Sequence, residues 1–199
     1  MELRTYILID SMQPQFAALT GILLQGDVPV EGMAEVFMEL APASDVYEVL
    51  DTALKTADVR PGLLRVEREY GTLEIHSAFQ EAVQVAGQNA LARFGLTESD
   101  RMTPEVVSVK MVSKVNPYEA QLVNQTSRGG LLLAGQTLCV MEIAPAAYVW
   151  LAANEAEKAA NITLVNYQPS GRYGRLYIAG RDSDVRVGQE AAVQAIKSI

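Results

Sequence analysis

Polar and apolar positions along this chain change period in a fixed order. Residues 3–10 (Leu-Arg-Thr-Tyr-Ile-Leu-Ile-Asp) are rich in β-branched and aromatic types, which predicts a strand. Val36-Phe37-Met38-Glu39-Leu40 predicts a second, short strand, closed at Ala41-Pro42 because proline cannot donate to a ladder. From Ser44 the period lengthens: Val46, Val49, Leu50, Ala53, Leu54 and Ala57 fall on one helical face, with Ser44 or Asp45 as the cap. Two strands follow, 63–69 and 72–76, joined near Gly71, and then a helix that aligns Phe79, Val83, Ala86, Ala90, Leu91 and Phe94 before Gly95. Strand, strand, helix, hairpin, helix is an α+β pattern, an antiparallel sheet with helices packed on one face.

The same order then runs again at a constant spacing of 103 residues. Glu39-Leu40-Ala41-Pro42-Ala43 returns as Glu142-Ile143-Ala144-Pro145-Ala146, and Tyr70-Gly71-Thr72-Leu73-Glu74-Ile75 as Tyr173-Gly174-Arg175-Leu176-Tyr177-Ile178. Pro14, Leu19, Gly26 and Gly32 match Pro117, Leu122, Gly129 and Gly135 without a gap. The second strand pair is expected at 106–113 and 138–143, and its helix at 147–160. A repeat of this length is a duplicated domain: 1–96 is read as the first copy, 97–104 as a short polar linker too tight for independent motion, and 105–199 as the second. Two fused copies of one domain can alternate around a ring, and a symmetric ring has an axis.

Composition narrows the function. Apolar residues make up 49% of the 199, but no run approaches the ~20 needed to span a bilayer, and the chain does not open on a secretory signal, so a soluble, cytoplasmic protein is expected. Net charge is -8, from 24 acids and 16 bases without a basic cluster, which argues against nucleic acid as a partner. The single cysteine, Cys139, cannot close an internal disulfide and sits in an apolar run, where a thiol acts as a small hydrophobe. The single histidine, His76, argues against histidine triads and multi-histidine metal sites; ending a predicted strand, it is read as a surface or interface residue. Ser127-Arg128-Gly129-Gly130 and Ser170-Gly171-Arg172-Tyr173-Gly174 match neither phosphate-loop nor dinucleotide patterns and read as turns, while Tyr47, Tyr148 and Trp150 read as packing residues.

Several segments carry a family likeness: Glu2-Leu3-Arg4-Thr5-Tyr6, Met12-Gln13-Pro14-Gln15, Arg65-Val66-Glu67-Arg68-Glu69-Tyr70-Gly71, Ala120-Gln121-Leu122-Val123-Asn124, and Pro145-Ala146-Ala147-Tyr148 leading to Ala153-Asn154-Glu155-Ala156-Glu157-Lys158-Ala159-Ala160. Over its whole length the chain resembles bacterial microcompartment shell proteins of the tandem-domain, trimeric kind, in the circularly permuted subclass found in carboxysomes. The resemblance implies two tandem ferredoxin-like shell domains in a pseudohexameric trimer that tiles among hexameric shell neighbours. It also implies that two trimers can stack face to face around a chamber, and that a central pore opens and closes for metabolites too large for the hexamers' pores.

On that resemblance Glu67 and Arg68 are the pore gate, with the small Ser170 and Gly171 at the alternating positions. Three copies of an adjacent opposite-charge pair around one opening could plug it by pairing across chains, or swing aside to leave an arginine-rimmed mouth that favours small anionic metabolites. Lys55 and Lys158, at the same repeat position, are implied at the tile edge, with Arg181 beside them. The reading is a structural shell protein of the carboxysome type, without catalysis, cofactor or metal. A second reading, a trimeric small-molecule-sensing regulator on a ferredoxin-like sheet, differs in requiring saturable effector binding between subunits and no tiling. An enzyme ranks third, for want of a nucleophile motif or an acid/base constellation.

Overall fold

In the computed structural model, which describes residues 1–199, strand β1 (Glu2–Ile9) leads through helix α1 (Pro14–Leu23) to β2 (Ala34–Ala41). A 3-10 turn (Ala43–Asp45) runs directly into α2 (Val46–Thr56); then come β3 (Arg60–Glu67), β4 (Tyr70–Ser77) and α3 (Gln80–Ala92). The strands form one antiparallel sheet in the order β1-β2-β4-β3. The second half repeats the set: β5 (Glu105–Val112), α4 (Pro117–Thr126), β6 (Thr137–Ala144), α5 (Val149–Ala159), β7 (Thr163–Gln168), β8 (Gly174–Gly180) and α6 (Asp182–Lys197), with sheet order β5-β6-β8-β7. The chain divides into the units Met1–Met102 and Thr103–Ile199. Between α3 and β5, the segment expected as a linker holds one 3-10 turn (Glu98–Asp100), closed by a reciprocal capping box between Thr97 and Asp100.

The repeat extends to irregularities no periodicity reveals. The first strand pair is bulged between Leu3 and Thr5 and its copy between Val106 and Ser108, while the hairpin is bulged between Pro61 and Leu63 and its copy between Leu164 and Asn166. In the first unit, Val36, Met38 and Leu40 of β2 with Leu73 and Ile75 of β4 meet Val46, Val49, Leu50 and Ala53 of α2 and Val83, Ala86, Ala90 and Leu91 of α3. Alternate strand residues thus supply one face to a helical stripe, and each fully buried Leu, Ile or Val contributes roughly 1.5–3 kcal/mol.

Several expectations move. Leu54 lies at the edge of the α2 stripe and is exposed, as is Tyr47 beside it, whereas Tyr148 and Trp150 are wholly buried as expected. Phe79 is 70% exposed because it precedes α3 in extended conformation instead of joining its apolar face. The hairpin turns at Arg68–Glu69, and Tyr70 and Gly71 already belong to β4. Gly71 instead permits a close approach, since a Cβ there would strike the carbonyl oxygen of Ala43, and Gly174 faces Ala146 in the same way.

Helices α1 and α4 are not announced by an apolar stripe: α1 buries Phe16, Ala17, Leu19 and Thr20 within a run that is apolar on most sides, and α4 buries only Ala120. Their legible signals are Pro14 and Pro117 in the first turn and the Asn116 side chain, which accepts from Tyr118 N–H at 2.9 Å. In the second unit Ala120 and Val123 of α4 pack with Leu132, Leu138, Val140, Val165, Tyr177 and Ala179, so a smaller apolar cluster covers the sheet face opposite α5 and α6.

Candidate functional site

The β3–β4 hairpin closes on the pair Glu67↔Tyr70 and leaves Arg68 and Glu69 as its two-residue turn. Arg68 takes φ +56, where the Cβ of an L residue crowds its own backbone at a cost of roughly 1–2 kcal/mol. Its repeat counterpart is Gly171, with φ +100, a residue free of that cost. The left-handed bend is therefore common to both repeats, and only the first hangs a guanidinium on it. Glu67, Arg68 and Glu69 are exposed, and no ion pair formed within the chain includes Glu67 or Arg68.

The second hairpin ends differently. Its last pair is Gln168↔Arg175, leaving residues 169–173 as a longer loop that carries exposed Ser170 and Gly171. Pro169 stands at the place of Val66, which pairs with Gly71 in the first unit; proline has no N–H to give, so the ladder stops earlier.

Beneath the first turn, Arg4 projects from the β1 bulge. Its Nε donates to Glu39 Oε1 at 2.7 Å, and its guanidinium lies 3.9 Å from the centre of the Tyr70 ring. Burial pushes the Glu39 carboxyl above its ordinary range, and Arg4 opposes that. The second unit has Val107 in place of Arg4, and Glu142 is reached instead from β8 by Arg175 at 2.9 Å, while Arg172 lies over Tyr173 at 5.3 Å. Sequence reasoning missed Arg4 and Tyr70 as a clasp on the strand leaving the turn, since its parts lie far apart in the chain.

Lys55 and Lys158 occupy the last turns of α2 and α5, near the negative helix ends. Both are exposed and paired along their own helices, Lys55 with Asp51 at 2.7 Å and Lys158 with Glu155 at 3.9 Å. Arg181 is the residue before α6 and pairs with Asp184 at 2.8 Å. Such exposed pairs are weak and can be exchanged for outside partners at little cost.

His76 is not at the surface: it is 1% exposed. Nδ1 lies 2.9 Å from Glu74 Oε1 and Nε2 lies 3.0 Å from Asp27 Oδ1. Glu35 is opposite it in register on β2, and Arg60 opposite it on β3, with Arg60 3.3 Å from Asp27. The alternation Glu74-x-His76 was the available signal, since residues two apart on a strand share a face. No group of side chains has the geometry of a metal site, and no helix is long and apolar enough to cross a membrane. Cys139 is buried, which pushes its thiol up to about 11.

Comparison with known proteins adds the following. The family model of the CsoS1D N-terminal domain matches residues 3–100, and that of the BMC domain matches residues 137–199. The carboxysome shell protein CcmP of Synechococcus elongatus is 42% identical over 199 residues, covering 100% of this chain and 93% of the relative. The fused permuted hexameric shell protein MSM0275 from the RMM microcompartment superposes with a TM-score of 0.96 at 39% identity, over 100% of this chain and 98% of that one. The double ringed trimeric shell protein MSM0271 from the same microcompartment gives 0.95 at 36% identity, over 100% and 97%.

Proposed function

The chain belongs to the bacterial microcompartment shell proteins of the fused, permuted kind, a family that includes carboxysome shell proteins, and from that membership we propose that it forms a gated, pore-bearing tile of a carboxysome shell. Its role is structural and its place is the microcompartment shell. Three copies make a pseudohexamer in which the two domains alternate, with hexameric shell proteins as neighbours and a second stacked trimer as a further partner. The tile carries out no catalysis and uses no cofactor.

The gate is the β3–β4 turn, and the observation that carries this reading is Arg68. A side chain held at φ +56, where the other repeat has glycine, is retained for what it does at the tip. Glu67 and Arg68 are exposed and lack partners within the chain, as groups that pair across a three-fold axis must be. When pairs form between neighbouring chains the opening is plugged; when they part, three guanidiniums rim it and favour small anions. Ser170 and Gly171, small and uncharged, leave room for that movement at the alternate positions.

Glu67→Ala and Arg68→Ala each remove half of the pair. Crystals of either variant are expected to hold mostly open pores where the parent holds both states, and equal populations in variant and parent would sink the gate.

A further inference from the structure

His76 is the only histidine in the chain, and both of its ring nitrogens lie within hydrogen-bonding distance of carboxylate oxygens, at 2.9 and 3.0 Å. An ionised carboxylate accepts and never donates, and a neutral imidazole has one N–H. With Glu74 and Asp27 both ionised, two such contacts at once call for an imidazolium. The charged groups facing it come from every element around it: Glu74 from β4 itself, Glu35 from β2, Asp27 from the loop after α1, and Arg60 from the start of β3.

The second unit shows that the fold does not need this charge. At the places of Glu35, Glu74 and His76 stand Leu138, Tyr177 and Ala179, all part of one apolar cluster, with Gly130 in place of Asp27. At these positions the same sheet face is filled by apolar side chains in one repeat and by ionisable ones in the other. Burying ions is the costlier solution, and it gives the first unit something an apolar cluster lacks, a response to pH.

We propose that His76 is a proton-operated latch, which as imidazolium ties the loop bearing Asp27 to the root of the β3–β4 hairpin through Glu74, and loosens that loop when its proton leaves. The loop has other ties to the same bulge: Gln25 and Gly26 N–H donate to the Gly62 carbonyl at 2.9 and 2.8 Å, and Asp27 N–H to that of Pro61 at 3.0 Å. Loss of the latch therefore frees the stretch beyond Asp27, which carries exposed Val28 and Val30.

The pH window follows from the neighbours. Burial lowers the proton affinity of His76, but Glu74 and then Asp27 outweigh it and hold the group above its ordinary 6.5. A raised folded value means stabilisation complete below 6.5 and lost as pH rises through the folded value. Burial also raises Glu74, so this carboxyl gives up its charge, and its arm of the tie, earlier on the way to acid than its ordinary 4.5, whereas Asp27, lowered by His76, does so only as pH falls below its ordinary 3.8. The latch is closed where Glu74 is ionised and His76 protonated, and it opens on the alkaline side.

Because the histidine is unique, its ring can be read by nuclear magnetic resonance without assignment in the intact oligomer grown with isotope-labelled histidine. Both ring nitrogens are expected to be protonated at pH 6.5, with a midpoint above it. Exchange of the Gly32 and Met33 amides, which donate to the Met12 and Val30 carbonyls at 3.0 and 3.2 Å, corrected for intrinsic chemistry, should quicken through that midpoint, about tenfold for each pH unit by which the midpoint exceeds 6.5. In His76→Gln that pH dependence should vanish, and in Asp27→Asn the loop should exchange faster at every pH with the His76 midpoint lowered. A single neutral tautomer at pH 6.5, or the same pH-dependent exchange in His76→Gln, overturns the latch. Should His76→Gln not fold, an unshifted midpoint and unchanged exchange in Asp27→Asn overturn it equally.

Discussion

Arg68 holds a backbone conformation that its repeat counterpart leaves to glycine. This has a measurable cost, because a glycine there would release roughly 1–2 kcal/mol of crowding and give back part of it in unfolded-chain entropy. Arg68→Gly is therefore expected to raise the stability of the folded chain by about 0.5–1 kcal/mol in denaturant titrations, while removing the side chain proposed to close the pore. The reverse change has the opposite sign. Gly171→Ala meets no neighbouring atom, so its expected loss of about 1–2 kcal/mol would come from backbone strain alone. No stabilisation from Arg68→Gly would mean that the bend costs nothing and is no sign of function. The charge pair Glu67-Arg68 was legible in the sequence; its backbone was not, because the strands had first to set the turn one place before Tyr70.

Each unit buries or half-buries the same acid in its second strand, and each pairs it with an arginine from a different element. Arg4 reaches Glu39 from the bulge of β1 with side chains 17% and 6% exposed, whereas Arg175 reaches Glu142 from β8 with side chains 44% and 28% exposed. Depth decides their value. Arg4→Ala leaves a carboxylate in a poorly solvated place and is expected to cost about 2–3 kcal/mol; Arg175→Ala should cost less than about 1 kcal/mol, as exposed pairs do. Equal losses in thermal melts of the two variants would contradict this ranking. The period of apolar residues found the strands and the long helices because their faces repeat over many residues. It missed α1 and α4, which carry no such stripe and are placed by packing on the second face of the sheet. It also joined the hairpin at Gly71, since glycine marks both turns and close approaches and only the nearby Ala43 carbonyl tells which.

At the scale of the whole molecule, the predictions concern assembly. Three copies of the 21.6 kDa chain give a particle of about 65 kDa and two stacked rings about 130 kDa; light scattering after size exclusion should return one of these. A stable monomer would remove the axis around which Glu67 and Arg68 are proposed to meet. Lys55→Glu together with Lys158→Glu should leave that mass unchanged and abolish sheets in electron micrographs, since each lysine is held within its chain only by an exposed pair on its own helix. Sheets that persist in the double variant would release both lysines from the tile edge.

Duplication, fold class and family were determined by the sequence itself, because they rest on periodicity, on a constant spacing of 103 residues, and on local strings such as Glu67-Arg68-Glu69-Tyr70-Gly71. Those signals are carried by residues close together in the chain, or by whole copies compared in register. The His76 cluster and the Arg4 clasp were decided only by tertiary structure. Asp27, Glu35, Arg60 and Glu74 come from four separate segments, and Arg4 meets Tyr70 across most of a domain. Whether a lone histidine is a solvated strand end or a buried cation depends on which carboxylates the sheet order brings to its two nitrogens, and no spacing along the chain contains that order.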